Sequence, residues 1–225
     1  MNIELGKFNQ LEVVKEVDFG VYLDGGEEGE ILLPTRYVPE DCKIGDILNV
    51  FLYLDMDERL IATTLTPFVQ VGQFACLEVS WVNQYGAFLN WGLMKDLFVP
   101  FREQKMKMQV GRKYVVHAHL DEESYRIVAS AKVERYLSKE KPEYAAGEEV
   151  NILIWQKTDL GFKAIIDNKY SGLLYENEIF SSIETGMEMK AFVKQVREDG
   201  KVDLILQKPG FEKVDDFAKI LLDYI

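Results

Sequence analysis

Several things this chain has little of narrow what it can be. Its two cysteines, Cys42 and Cys76, stand at no metal-ligand or redox spacing, and a chain of this size needs no disulfide framework. They are expected as plain thiols. No apolar run approaches the roughly 20 residues that span a bilayer, and the N-terminus lacks the basic, apolar, small-residue order of a secretory signal. The expectation is a cytoplasmic protein. There is no phosphate-binding glycine loop, no nucleophile elbow and no paired Cys/His nucleophile, so no enzymatic activity and no cofactor are expected.

Positive charge is also scarce, with 26 Lys and Arg against 38 Asp and Glu and a net charge of -12. Such a total argues against binding phosphate over the whole surface, because phosphate contacts depend on clustered cations. The deficit is unevenly spread. Residues 1–67 carry five basic and fourteen acidic side chains, whereas 68–137 carry nine and seven. Association follows the local field as well as the total, and the middle of the chain is mildly basic.

What is present begins with apolar content of 48%, 12% aromatic, enough to fill real cores. Residues 66 apart match without a gap: Phe19-Gly20 with Tyr85-Gly86, Tyr22-Leu23 with Phe88-Leu89, Pro34 with Pro100, Gly45 with Gly111, Asp55 with Asp121. A further shift of 75 carries Gly86 to Gly161, Val79 to Ile154 and Gly111 to Gly186. The added residues fall in the polar stretch Ser138 to Glu143, which reads as a linker. Within each copy the apolar period is two, shown best by Leu48, Val50, Leu52 and Leu54, as β-strands require. In the first copy five strands are expected near 5–17, 19–24, 29–33, 46–55 and 59–66, with Gly20, Gly86 and Gly161 marking bends or bulges. The acidic run Asp24 to Gly29 lacks calcium-loop spacing and reads as a hairpin turn. From Val214 onward Phe217, Ala218, Leu221, Leu222 and Ile225 fall at helical spacing. That apolar face is expected to be incompletely buried.

The order of strand one, Asp18-Phe19-Gly20-Val21-Tyr22-Leu23, Gly29-Glu30-Ile31-Leu32-Leu33, Gly45-Asp46 and a strand after Glu58-Arg59 resembles the RNA-binding domain of ribosomal protein S-one. It does so three times, from about Ile3 to Gln207. Three such barrels followed by the start of a helical segment are similar to the conserved virulence factor B family. The resemblance implies an all-β chain of three tandem five-stranded OB-fold barrels over 1–67, 68–137 and 145–209. A C-terminal helix over 210–225 would be the start of a winged helix. It also implies that the ligand is single-stranded RNA and the role bacterial post-transcriptional or translational regulation.

The domain's stacking aromatics match Phe19 and Tyr22 in copy one and Tyr85 and Phe88 in copy two, whereas copy three has Leu160 and Lys163. The third-strand histidine is replaced by Pro34, Pro100 and Tyr175, and basic residues near the fifth strand survive as Arg59, Arg126 and Lys201. Aromatics on a barrel surface stack on unpaired bases; core or inter-domain packing is the alternative for all four. Arg102, Lys105, Lys107, Arg112 and Lys113 follow the third strand of copy two, where they could track a phosphate backbone or form a solvated loop. The middle repeat is therefore expected to supply the main grip. His117, His119 and Asp121 share one strand face. Copy one has Phe51, Tyr53 and Asp55 there, so an exposed polar face is expected and no metal site. The acidic first repeat supports a rival function, a scaffold for a basic protein partner.

Overall fold

The computed structural model describes residues 3–179 and 181–207. In the first repeat β1 (Phe8–Val17), β2 (Gly20–Asp24), β3 (Glu30–Pro34), β4 (Ile47–Leu54) and β5 (Leu60–Thr63) form a closed barrel in the order β1-β2-β3-β5-β4. The second comprises β6 (Phe74–Val82), β7 (Gly86–Asn90), β8 (Leu97–Pro100), β9 (Lys113–Leu120) and β10 (Ile127–Ser130). The third comprises β11 (Glu149–Thr158), β12 (Gly161–Ile166), β13 (Tyr170–Tyr175), β14 (Glu188–Val196) and β15 (Val202–Ile205). Each closes through one parallel contact, Leu32 with Ile61, Phe98 with Val128, and Leu173 with Asp203. That order and its single parallel pairing are the OB topology. Five three-residue 3-10 turns are the helical content of the described residues, one of them, Gly26–Glu28, in the acidic hairpin. The helix expected over 210–225, with Phe217, Leu221 and Leu222, lies outside the described residues.

Closure requires the first strand of each barrel to curl, and it does so at a break in register rather than at the expected glycines. The pairing slips between Val13 and Lys15, between Val79 and Trp81, and between Ile154 and Gln156, so the extra residues are Val14, Ser80 and Trp155. Gly20, Gly86 and Gly161 serve close approach. A Cβ on any of them would stand 2.2 Å from the carbonyl oxygen of Leu33, Val99 or Leu174 on the next strand. Only a residue without a side chain lets the two backbones meet there.

The chain divides into two compact units, residues 1–133 with the first two barrels and 134–225 with the third. The first barrel has its own core of Leu11, Val13, Leu23, Ile31, Leu33, Val50 and Leu52. The third has another, including Ile152, Ile154, Ile166, Leu174, Val193 and Leu204. The second barrel's core is not so self-contained. Its cluster of Leu77, Val79, Leu89, Leu97, Val99 and Val116 continues through Trp91 into Phe51 and Tyr53 of β4. Period two turns Phe51 and Tyr53 away from their own core, yet they are 0% and 4% exposed because the second barrel covers them. The Phe51 ring meets Trp91 edge-on at 5.7 Å and Phe8 at 5.6 Å. Burying two such rings stabilises the joint by about 1.5 to 3 kcal/mol each.

In the second unit the stretch before β11 is held against the third barrel. The Ser138 N–H donates to the Lys169 carbonyl at 2.8 Å, and the Tyr144 hydroxyl donates to Asp167 at 2.9 Å. Neither thiol is in a disulfide and both are half-buried; burial pushes Cys42 up from its ordinary range.

Candidate nucleic-acid interface

Because alternate residues of a strand face opposite sides, Ala87 and Leu89 on β7 and Leu97 and Val99 on β8 point inward, leaving Phe88 and Phe98 outside. The slip at Ser80 turns Trp81 to the same outer face. Register then aligns Trp81 with Phe88 and Phe88 with Phe98, an aromatic row across three strands. Trp81 lies flat on Phe88, centroids 3.7 Å apart and rings 1° from parallel. Phe98 meets Phe88 from the other side at 4.9 Å and 33°. The indole N–H of Trp81 donates to Asp96 Oδ2 at 3.1 Å, which fixes the ring's orientation as well as its place.

Tyr85 stands between β6 and β7 on a turn locked by Asn83, whose Oδ1 accepts the N–H of Tyr85 at 2.8 Å and of Gly86 at 3.2 Å. Its ring is 66% exposed. The Phe101 N–H donates to the Tyr85 carbonyl at 3.2 Å, which joins this turn to the basic segment after β8. That segment is pinned by Gln104, buried, whose Nε2 donates to the Val99 carbonyl at 3.0 Å and whose Oε1 accepts the Met108 N–H at 3.0 Å.

The basic residues divide into two groups. Lys107, Arg112 and Lys113 are exposed and enter none of the ion pairs of the described residues; Lys105 is exposed beside them. The Val79 N–H donates to the Arg112 carbonyl at 3.0 Å, placing Arg112 two residues along β6 from Trp81. Arg102 pairs with Asp121 and, at 3.6 Å, with Glu123. The Ser124 N–H, with Arg102 beside it, holds the Asp121 carboxyl below the usual carboxylate range. Arg126 pairs with Glu58, across the joint between the first two barrels, where Lys95 also meets Glu58 at 3.6 Å.

The same row in the first barrel is Lys15, Tyr22 and Leu32. Phe19, 56% exposed, meets Tyr22 edge-on at 6.3 Å, with the Lys15 amine 5.5 Å from the Tyr22 ring. Arg59 is drawn to Asp55 at 2.8 Å and Asp57 at 3.0 Å, and these raise its guanidinium. In the third barrel the row is Gln156, Lys163 and Leu173, ending on Asp203. Asp203 is buried under Arg197, at 2.7 Å, and Gln195, at 2.7 Å. Leu160 stands where Tyr85 does, and the Lys163 amine sits 5.1 Å from the Trp155 ring. No aromatic face of that row is open.

This geometry meets its counterpart among known proteins at the first barrel. Residues 5–65 match the S1 domain family model. Over 223 residues the chain is 26% identical to the uncharacterized protein YitL of Bacillus subtilis (strain 168), covering 96% of this chain and 74% of that one. It is similar to the crystal structure of a multidomain protein with nucleic acid binding domains from Streptococcus pneumoniae TIGR4, with TM-score 0.50 and 21% identity, covering 98% of this chain and 80% of that one. The S1 match and the barrel topology agree on the fold. The likeness to the Streptococcus protein extends that fold over the described barrels.

Two side chains central to the outer face, Trp81 and Phe98, escape sequence comparison. Repeat alignment places them opposite Lys15 and Leu32, so a search for matched aromatics passes over both. Strict alternation from Leu77 and Val79 assigns Trp81 to the core; the bulge reverses it. His117 departs from expectation in the other direction. It is 7% exposed rather than on a polar face, packed 4.6 Å from Phe74, and burial pushes its imidazole down to about 4. Among the described residues no three His, Cys, Asp or Glu side chains converge as metal ligands.

Proposed function

We propose that the chain is a cytoplasmic, non-catalytic protein that binds single-stranded RNA, with the middle barrel as its main contact. The observation that carries this is the aromatic row on the outer face of β6, β7 and β8 beside exposed Lys107, Arg112 and Lys113. Stacking on rings is worth about 1 to 3 kcal/mol per base and tolerates sequence, while cations track the backbone. Tyr85, Lys105, Lys107, Arg112 and Lys113 form this contact together with the row that Phe88 centres; Phe19, Tyr22 and Arg59 form a weaker one on the first barrel. Arg102 is available to phosphate because exposed ion pairs contribute little and exchange readily. Arg126 acts from the joint. Domain limits of 1–67, 68–137, 145–209 and 210–225, and a regulatory role of the conserved virulence factor B kind, complete the proposal. The S1 match supports RNA as the ligand, and the description of the Streptococcus protein supports nucleic acid.

The test is a fluorescence-anisotropy titration with an unstructured RNA of about a dozen nucleotides at about 50 and about 200 mM salt. Binding that weakens with salt is expected. Replacing Lys107, Arg112 and Lys113 by Gln should lower the salt slope by about 0.7 for each phosphate that no longer has a cation beside it. Absence of binding at the lower salt concentration would defeat the proposal.

A second reading has its own observation. On the first barrel a cleft of about 480 Å³ is lined by Glu16, Asp18, Gly20, Val21 and Thr35, within a repeat of five basic and fourteen acidic residues. Such a surface suits a basic protein partner. RNA binding that survives loss of the first barrel's aromatics, together with capture of a basic protein through Glu16 and Asp18, would assign the two repeats different ligands.

A further inference from the structure

Stacking a base on a ring needs an open π-face, and the row of the middle barrel distributes its faces unequally. Phe88 has Trp81 flat against one side at 3.7 Å and Phe98 against the other at 4.9 Å. Neither of its faces is left for a ligand. Trp81 is covered by Phe88 on one side only, and 45% of it is exposed. Its ring cannot swing to close that face without breaking the N–H bond to Asp96. Trp81 also belongs to this barrel alone, since the equivalent positions hold Lys15 and Gln156.

We infer that Trp81 is the base-stacking residue of the middle barrel, and that Phe88 and Asp96 are positioning residues that hold its open face outward. The inference rests on the RNA-binding reading above and changes which residue makes the contact. A nucleobase laid on Trp81 extends the stack to four rings: base, Trp81, Phe88 and Phe98. The Arg112 carbonyl accepts the Val79 N–H, two residues from Trp81, so an exposed cationic residue is anchored next to the same strand. The indole N–H is already committed to Asp96, which leaves no donor to read base edges. Recognition there is of a π-face, and purines, with the larger overlap, are preferred over pyrimidines.

The experiment uses the full chain and unstructured oligoadenylate and oligouridylate. Trp91 and Trp155 are 3% and 7% exposed, so quenching of the tryptophan emission by RNA reports on Trp81. The expected result is quenching that saturates with the anisotropy signal, stronger for oligoadenylate. Trp81→Leu, with an unchanged melting curve, abolishes the quenching and weakens binding about tenfold or more. Asp96→Ala weakens binding several-fold and broadens the Trp81 response, whereas Asp96→Asn, which keeps an acceptor for the indole N–H, restores both. If the parent binds but Trp81→Leu binds within twofold of it, the inference is overturned while the RNA-binding reading stands. If the parent binds neither oligonucleotide, both fall.

Discussion

The second and third barrels place the same three strand positions in one lateral row and fill them with opposite chemistry. In the second the row is Trp81, Phe88 and Phe98; in the third it is Gln156, Lys163 and Leu173, closed by the buried Asp203 pair with Arg197. Topology, bulge position and the close-approach glycine are common to both. The barrel is therefore a support on which a surface row varies independently. Possession of the fold does not make a repeat a binding site.

The largest effect expected is one the two barrels share. Gly86→Ala and Gly161→Ala each put a methyl group 2.2 Å from a backbone oxygen of the next strand, and each should destabilise its barrel by about 3 kcal/mol in urea unfolding. Equal losses would establish that the two backbones meet in the same way; a neutral Gly161→Ala would separate them.

Exchanging the rows tests the difference directly. Trp81→Gln, Phe88→Lys and Phe98→Leu together give the second barrel the third's row, and should lower RNA affinity about a hundredfold while the protein stays folded. The reverse set in the third barrel should create a new RNA contact, read as a second binding event in the titration.

The strand after the variable row offers a smaller contrast. The second barrel has His117 where the first and third have Phe51 and Phe192. Its imidazole is held down to about 4 from an ordinary 6.5. Above pH 6.5 it is neutral folded or unfolded; as pH falls toward 4 the unfolded chain takes the proton first, and folded stability is lost over that window. At pH 5 the loss is about 2 kcal/mol, and His117→Phe should remove it from urea midpoints compared at pH 7.5 and 5.

The smallest effect belongs to the joint of the first two barrels. Glu58 and Arg126 are 40% and 56% exposed, so Glu58→Gln should cost under about 1 kcal/mol. The apolar part of that joint, Phe51 and Tyr53 against Trp91, carries more. Phe51→Ala should shift the unfolding midpoint clearly further.

Strands were legible wherever alternation was uninterrupted. An expected strand over 46–55 is Ile47–Leu54, and one over 19–24 is Gly20–Asp24. Three things were illegible, two because they depend on a partner far away in sequence and one because of a local break in the alternation. Phe51 and Tyr53 read as outward, which they are; that the second barrel buries them follows from docking, not from period two. Arg126 reads as a basic residue near the fifth strand, and its partner Glu58 lies 68 positions earlier on another barrel. Trp81 reads as core because a single added residue, Ser80, reverses the phase of everything after it on β6.

Gln104 gives the basic segment after β8 a property that its composition alone would not. A flexible lysine-rich loop must surrender backbone freedom when it closes on a ligand, about 1 to 2 kcal/mol for each residue ordered. Here one buried amide, bonded to the Val99 carbonyl and the Met108 N–H, has already removed that freedom during folding. Lys105 and Lys107 are thus presented on a frame set before any ligand arrives. On the proposed function, capture of a strand by this segment would be limited by encounter rather than by loop rearrangement, and its rate should follow ionic strength instead of chain dynamics.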